Sequence, residues 1–249
     1  KMIFEALLTS ILAIGATTLK MTSHVPILAI GLLIVTMQRT YKLWFARRGE
    51  DQAGILFPAI SELGVEGQGR RAYQIGFACV GALLCLHMYN LSIVLQRELV
   101  RGDMDAAKLQ SQMIRYGYQA AIGCGVQGIF TLEHNISAQS IIHWIAAALF
   151  MHGSLNHAQA SNELYTNTNV SLPLWISRVA RFRGMILKYS TIVMFLPILF
   201  SQIFGAAVRG NANSGASRMM NSMGLMQYFI IAQFSVLFMS YAVDLSLWS

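Results

Sequence analysis

The chain has 249 residues, of which 55% are hydrophobic and only 12% charged, with a formal net charge of +7 at pH 7. A soluble globular domain carries about a quarter charged residues, so this composition, with a mean hydropathy of +0.51, excludes an ordinary water-soluble fold. The cations flank apolar runs, with no aromatic-and-basic module for nucleic acid, so the partner they predict is anionic lipid.

A spanning helix needs about 20 apolar residues, within roughly 17 to 25. The uncharged runs are Ala6–Leu19, Met21–Gln38, Ala72–Gln96, Tyr116–Leu132, His134–Asn162, Tyr189–Val208 and Met219–Val243. They lack the period-two alternation of barrel strands and are longer than such strands. The expectation is an all-α integral membrane protein. Residues 24–249 form an antiparallel bundle of six transmembrane helices, and residues 1–23 add an N-terminal hydrophobic helix, either a span or an anchor.

In chain order, the helix opening at His24-Val-Pro26 has proline in a favourable first-turn position. It ends in Arg39, Lys42, Trp44, Arg47 and Arg48, an anchor of cations and aromatics. Gly49–Gly69 reads as a loop, and Arg97–Arg115 as a charged connector that turns helical from Met104. In Tyr116–Leu132, Gly117, Ala121, Gly125 and Gly128 form a small-residue strip that lets a second helix approach closely. The short connector Glu133–Ser137 makes the next helix its antiparallel neighbour.

That next helix carries His134, His143, His152 and His157 and no formal charge from His134 to Asn162. The expectation is that His134 and His157 mark the two interfaces while His143 and His152 make interhelical hydrogen bonds. Ala158–Val170 is polar and turn-rich. Beyond it Trp175, Val179, Phe182 and Ile186 recur at helical spacing, with Arg178, Arg181 and Lys188 on another flank. This is the pattern of a basic interfacial helix, and it assigns those three cations to lipid headgroups. Pro197 should bend Tyr189–Val208. Gly210–Ser217 is a small-residue loop, and the last run ends at Asp244. The 18 Lys and Arg residues divide evenly between the two faces, so charge bias does not orient the chain.

No phosphate loop, dinucleotide fingerprint, nucleophile elbow or metalloprotease motif is present. His143 and His152 fall on opposite faces of one helix, and His143 and His157 lie about 21 Å apart along it. The sequence therefore predicts no catalytic residue, no metal site and no cofactor, with bound phospholipid expected.

Three patches carry a family likeness. The loop Phe57-Pro-Ala-Ile-Ser-Glu-Leu-Gly64 with Arg70-Arg71 and Tyr73-Gln-Ile-Gly-Phe77, the segment Gly128-Ile-Phe130, and Ile142-His143 with Gly153 resemble motifs of the DRAM-type family. That family includes the damage-regulated autophagy modulators and the Golgi GPI-anchor remodelling factor. Glu62 stands where the family has Asp, and Trp144 stands where an acidic residue follows the histidine. The resemblance spans residues 24–245 and implies six crossings, with Gly49–Gly69 lumenal or external and Arg97–Arg115 and Ala158–Lys188 cytosolic. It also implies a polar cluster of Ser61, Glu62 and His143 at one membrane face.

The function expected from these observations is that of a non-enzymatic multispan protein, a lipid-associated scaffold or regulator that also contacts other membrane proteins. The alternatives are an accessory subunit of a large organellar membrane complex and a GPI-anchor lipid-remodelling factor. The resemblance implies an endomembrane (Golgi, ER or lysosome) or the plasma membrane; the accessory-subunit reading implies an organellar inner membrane.

Overall fold

The computed structural model describes residues 22–49, 54–100, 102–133, 137–167, 172–188 and 215–248. Residues 1–21, which carry most of the expected N-terminal helix, lie outside the described residues, as do His134 and the run Tyr189–Val208. The described chain is helical, with no strand: α1 His24–Arg47, α2 Gly67–Leu95, α3 Met104–Ile129, α4 Ala138–Asn167, α5 over 174–188 and α6 Gly215–Trp248. Among the described residues, two helices are long and apolar enough to cross a membrane: Gly67–Val100, which is α2 with its terminal π-turn, and Asn221–Trp248 in α6.

The helix starts follow from local chemistry. The Asp103 carboxylate accepts the backbone N–H groups of Asp105 and Ala106, at 2.9 and 3.0 Å, and so caps α3. Gly102 precedes it at φ +86° and Gly67 opens α2 at φ +57°, left-handed values that a side chain would strain. The Ser137 hydroxyl caps α4 by accepting from Ser140 N at 3.2 Å.

α4 continues through Asn167, although Ala158–Val170 reads in sequence as turn-rich. Burial overrides local preference there: Ser161, Leu164 and Tyr165 are all packed in the interior.

Consecutive helices α1 to α4 run antiparallel, and small residues set their spacing. A Cβ on Gly81 would lie 2.7 Å from the Gly125 backbone, and one on Gly128 2.5 Å from Phe77 Cβ. The strip Gly117–Gly128 therefore faces α2. Gly123 and Gly153 instead close the contact between α3 and α4.

The core is mainly apolar, yet large apolar side chains also crowd the exterior and several polar groups lie inside. Ile27, Leu28, Ile34 and Val35 of α1 point outward, as do Ile141, Ile142, Trp144, Ile145 and Leu149 of α4. Among the buried residues are Thr36, Thr40, His87, Asn90, Gln127, His143, His157, Arg183 and Asp244.

The packed face of α5 is narrow. Ile176 and Arg183, seven residues apart, are buried, while Trp175 and Phe182 are 61% and 42% exposed. Trp175 and Phe182 point outward while α5 turns Arg183 toward a single acidic residue on α6.

Candidate functional site

Two polar assemblies stand at opposite ends of the bundle. The first gathers where α3 meets α4. His143 is buried, and its Nδ1 donates to the carbonyls of Gln127 and Phe130, at 3.0 and 2.8 Å. Carbonyls only accept, so Nδ1 carries the proton. These oxygens belong to the last turn of α3, where no intrahelical donor remains. Gln139 adds a bond to Thr131 O at 2.9 Å, and Ser140 Oγ accepts from Glu133 N at 3.2 Å.

Ser61 and Glu62 are half-buried in a 3-10 turn, Ile60–Gly64. The bonds that fix this loop run to α1 and α6. Leu56 and Phe57 both donate to Asn221 Oδ1 at 2.8 Å, Ile60 donates to Gln227 Oε1 at 2.7 Å, and Tyr41 donates to Leu56 O at 3.0 Å. The bonds that fix His143 run to α3 alone. Replacing His143 with Leu should leave both carbonyls without their donor and lower stability by about 1–3 kcal/mol. A denaturant or thermal series in detergent measures this, with His143→Gln recovering part of the loss.

The second assembly lies where α2, α4, α5 and α6 converge, and sequence reading missed it. Arg183 is 1% exposed and Asp244 is fully buried, with their side chains paired at 2.5 Å. Arg183 Nε also donates to Ser240 Oγ at 2.7 Å, and Nη2 to Ser240 O at 2.9 Å. Tyr165 donates to Asp244 Oδ2 at 3.0 Å, and the Arg183 guanidinium lies 3.9 Å above the Tyr241 ring. Two formal charges thus cancel, and three helices are tied to one carboxylate and one hydroxyl.

Around Tyr241 and Phe238 stand His87 and His157. His157 stacks on Phe238 at 5.3 Å and meets Tyr241 edge-on at 5.3 Å, and its Nδ1 donates to Met113 O at 2.8 Å. His157 is therefore an interior residue of the bundle. Its spacing from His143 already placed both on one helix face, and that face is the buried one. His152 points outward and bonds Gln119 of α3 at 3.0 Å, the interhelical role expected of it. Both ring nitrogens of His87, His157 Nε2, Ser154 Oγ, Arg183 Nη1 and Asp244 Oδ1 are buried without a hydrogen-bond partner. Among the described residues no three His, Cys, Asp or Glu side chains gather as a metal site, and Cys79, Cys85 and Cys124 are free thiols.

The cations read as headgroup ligands lie on the outer side of α5. Arg178, Arg181 and Lys188 are exposed, with the Arg178 guanidinium 5.1 Å from the centre of the Trp175 ring. They do not share one level. Lys188 stands about 15 Å along the helix axis from Arg178. Ile186, close to Lys188, accepts from Gln233 near the middle of α6 at 3.2 Å.

A signal for the missed pair was present in the sequence. Asp244 is the only acidic residue after Glu163, which makes it the one acidic candidate within the last third of the chain to pair with a buried cation there. No family model, curated protein or solved structure matches this chain.

Proposed function

We propose that the chain is a multispan membrane protein that acts without catalysis, as a lipid-associated scaffold or regulator. In this reading residues 24–249 cross the membrane six times, with Tyr189–Val208 as one crossing, and residues 1–23 add a further hydrophobic helix. The observation that supports it best is the combination of exposed large apolar side chains with buried charged and polar groups. Large apolar side chains face outward on α1, α2, α4 and α6, while the charged pair and the histidines His87, His143 and His157 face inward. Ionisable groups in a membrane bundle face its interior and pair with one another, because hydrocarbon leaves them no other partner.

Lipid association follows from the outer side of α5. Arg178 and Arg181 stand beside exposed Trp175, Phe182 and Met185, so cations and apolar groups are presented together. That is the arrangement of a helix lying against anionic headgroups. Lys188 is the deepest of the three and belongs at the edge of this site.

The test uses the intact chain. A tagged copy should remain in the membrane pellet through alkaline carbonate extraction, and its compartment separates endomembrane from organellar inner membrane. The purified chain should prefer a fluorescent phosphatidylserine over phosphatidylcholine. Neutralising Arg178 and Arg181 together should weaken that preference by about 2 kcal/mol, roughly thirtyfold, at about 1 kcal/mol per cation. Equal weakening toward both lipids would reject the headgroup site, and release by carbonate would reject the membrane reading.

A further inference from the structure

Three side chains at the heart of the bundle are fully buried and polar: His87 of α2, and Ser154 and His157 of α4. Both ring nitrogens of His87, Nε2 of His157 and Oγ of Ser154 find no hydrogen-bond partner among the described residues. They belong to one cluster. The two imidazoles lie against the same pair of rings, His87 at 6.4 Å from Phe238 and 5.7 Å from Tyr241, His157 at 5.3 Å from each. Ser154 stands one turn before His157 on the same face of α4.

A cavity of about 10 Å³ adjoins this cluster, with a largely apolar wall that includes Phe77, Leu84, Phe150 and Phe238. α6 runs parallel to α2, since Asn221 near its start holds the loop before α2 and Arg97, just past the end of α2, donates to Trp248 O. α2, α4 and α6 therefore point the same way. Leu84, Phe150 and Phe238 each lie one turn before His87, Ser154 and Tyr241, so the cluster forms one end of the cavity. A single water needs about 10–15 Å³ of such space. The room suffices for one water and for nothing the size of a lipid chain.

The chemistry of the cluster selects the same guest. His157 Nδ1 donates to Met113 O at 2.8 Å, so in the neutral ring Nε2 is an acceptor. His87 offers one donor and one acceptor, and the Ser154 hydroxyl serves as either. An anion would meet the His157 lone pair. A cation would face the Arg183 guanidinium, 3.9 Å above the Tyr241 ring that both imidazoles touch. Among the described residues no third His, Cys, Asp or Glu joins the two imidazoles as a metal ligand.

We propose that this end of the cavity is a binding site for one ordered water, held between α2 and α4. The water accepts from the protonated nitrogen of His87 and donates to His157 Nε2 and Ser154 Oγ, about the three bonds usual for a buried water. It ties two helices that are not consecutive in the chain.

Pulsed X-ray radiolysis of the full chain in nanodiscs tests this, because bound water yields hydroxyl radicals that oxidise the side chains beside it. Phe238 and Phe77 are the probes. Both are buried and both line the cavity, but Phe238 touches the two imidazoles whereas Phe77 stacks on Tyr73. Mass spectrometry should find oxygen added at Phe238 and none at Phe77. His87→Leu should abolish the label at Phe238 while the remaining pattern and the melting temperature stay in place. Ser154→Ala removes a hydroxyl alone, should reduce the label, and decides the question if His87→Leu does not fold. Equal labelling of the two phenylalanines, no label at Phe238, or a label unchanged in the variants overturns the proposal.

Discussion

Alanine in place of Arg183 or Asp244 is expected to destabilise the protein by about 3–5 kcal/mol, the loss that follows when one member of a buried ion pair is left without the other. Arg183 is held by Ser240 and Asp244 and stacked on Tyr241, and Asp244 is shared with Tyr165, so the surviving charge has nowhere to turn for solvent. Asp244→Ala leaves a buried guanidinium with only Ser240. Arg183→Ala leaves a buried carboxylate with only the Tyr165 hydroxyl. The double replacement Arg183→Met with Asp244→Leu should recover most of the loss, since apolar groups of similar volume avoid desolvating two charges. A double-mutant cycle by thermal or denaturant unfolding in detergent measures the coupling. Additive single effects would show that the two side chains act separately.

The second large effect is expected at Gly123 and Gly153. A Cβ at Gly153 would sit 2.6 Å from Ala120 N and 2.8 Å from Tyr116 O, and one at Gly123 would sit 2.6 Å from Phe150 N and 2.7 Å from Ala146 O. Every one of these neighbours is backbone, so no rotamer change relieves the contact and α3 and α4 must move apart. Overpacking of this kind costs about 1–3 kcal/mol, more than the roughly 1 kcal/mol that alanine gains over glycine in a helix. Gly123→Ala and Gly153→Ala should therefore each lower stability, and Gly123→Leu should prevent the helices from pairing. Gly31 is the control. Nothing lies within 4 Å of its would-be Cβ, so Gly31→Ala should raise stability by about 0.5–1 kcal/mol. Thermal unfolding of the three alanine variants side by side decides the matter, and a stabilised Gly153→Ala would contradict the packing described for the hairpin.

Helix existence was legible in the sequence because long uncharged runs admit little else. The start of α3 at Met104 and the pairing of α3 with α4 were legible too, the first from composition and the second from the short connector. Which face of each helix is buried was harder to read. In a lipid-facing bundle, apolar residues occupy the outside as readily as the inside, so the recurrence of Trp175 and Phe182 could not distinguish a packing face from an outer one. The buried face of α5 is instead defined by Arg183, a residue whose type alone suggests exposure. The burial of His157 was hard to read for a related reason. Its position near the polar end of α4 suggested an interface, yet Phe238, Tyr241 and the Met113 carbonyl enclose it. Ser61, Glu62 and His143 were picked from a motif likeness, and a motif does not say which neighbours fix each residue. Ile60, beside Ser61 and Glu62, is held by Gln227 of α6, and His143 by the last turn of α3.

The grip of Asn221 on residues 54–57 also sets a timetable for biosynthesis. The side chain that closes this early loop lies 165 residues further along the chain. At translation rates of about 5–20 residues per second, roughly 10 to 30 s pass before the ribosome supplies it. During that interval the N–H groups of Leu56 and Phe57 and the Gly54 carbonyl must be satisfied by water or by an assisting protein, and α1 and α2 must wait as a pair whose connection is still open. The helix that latches this loop therefore emerges well after it, and the loop reaches its final form only once α6 has been made.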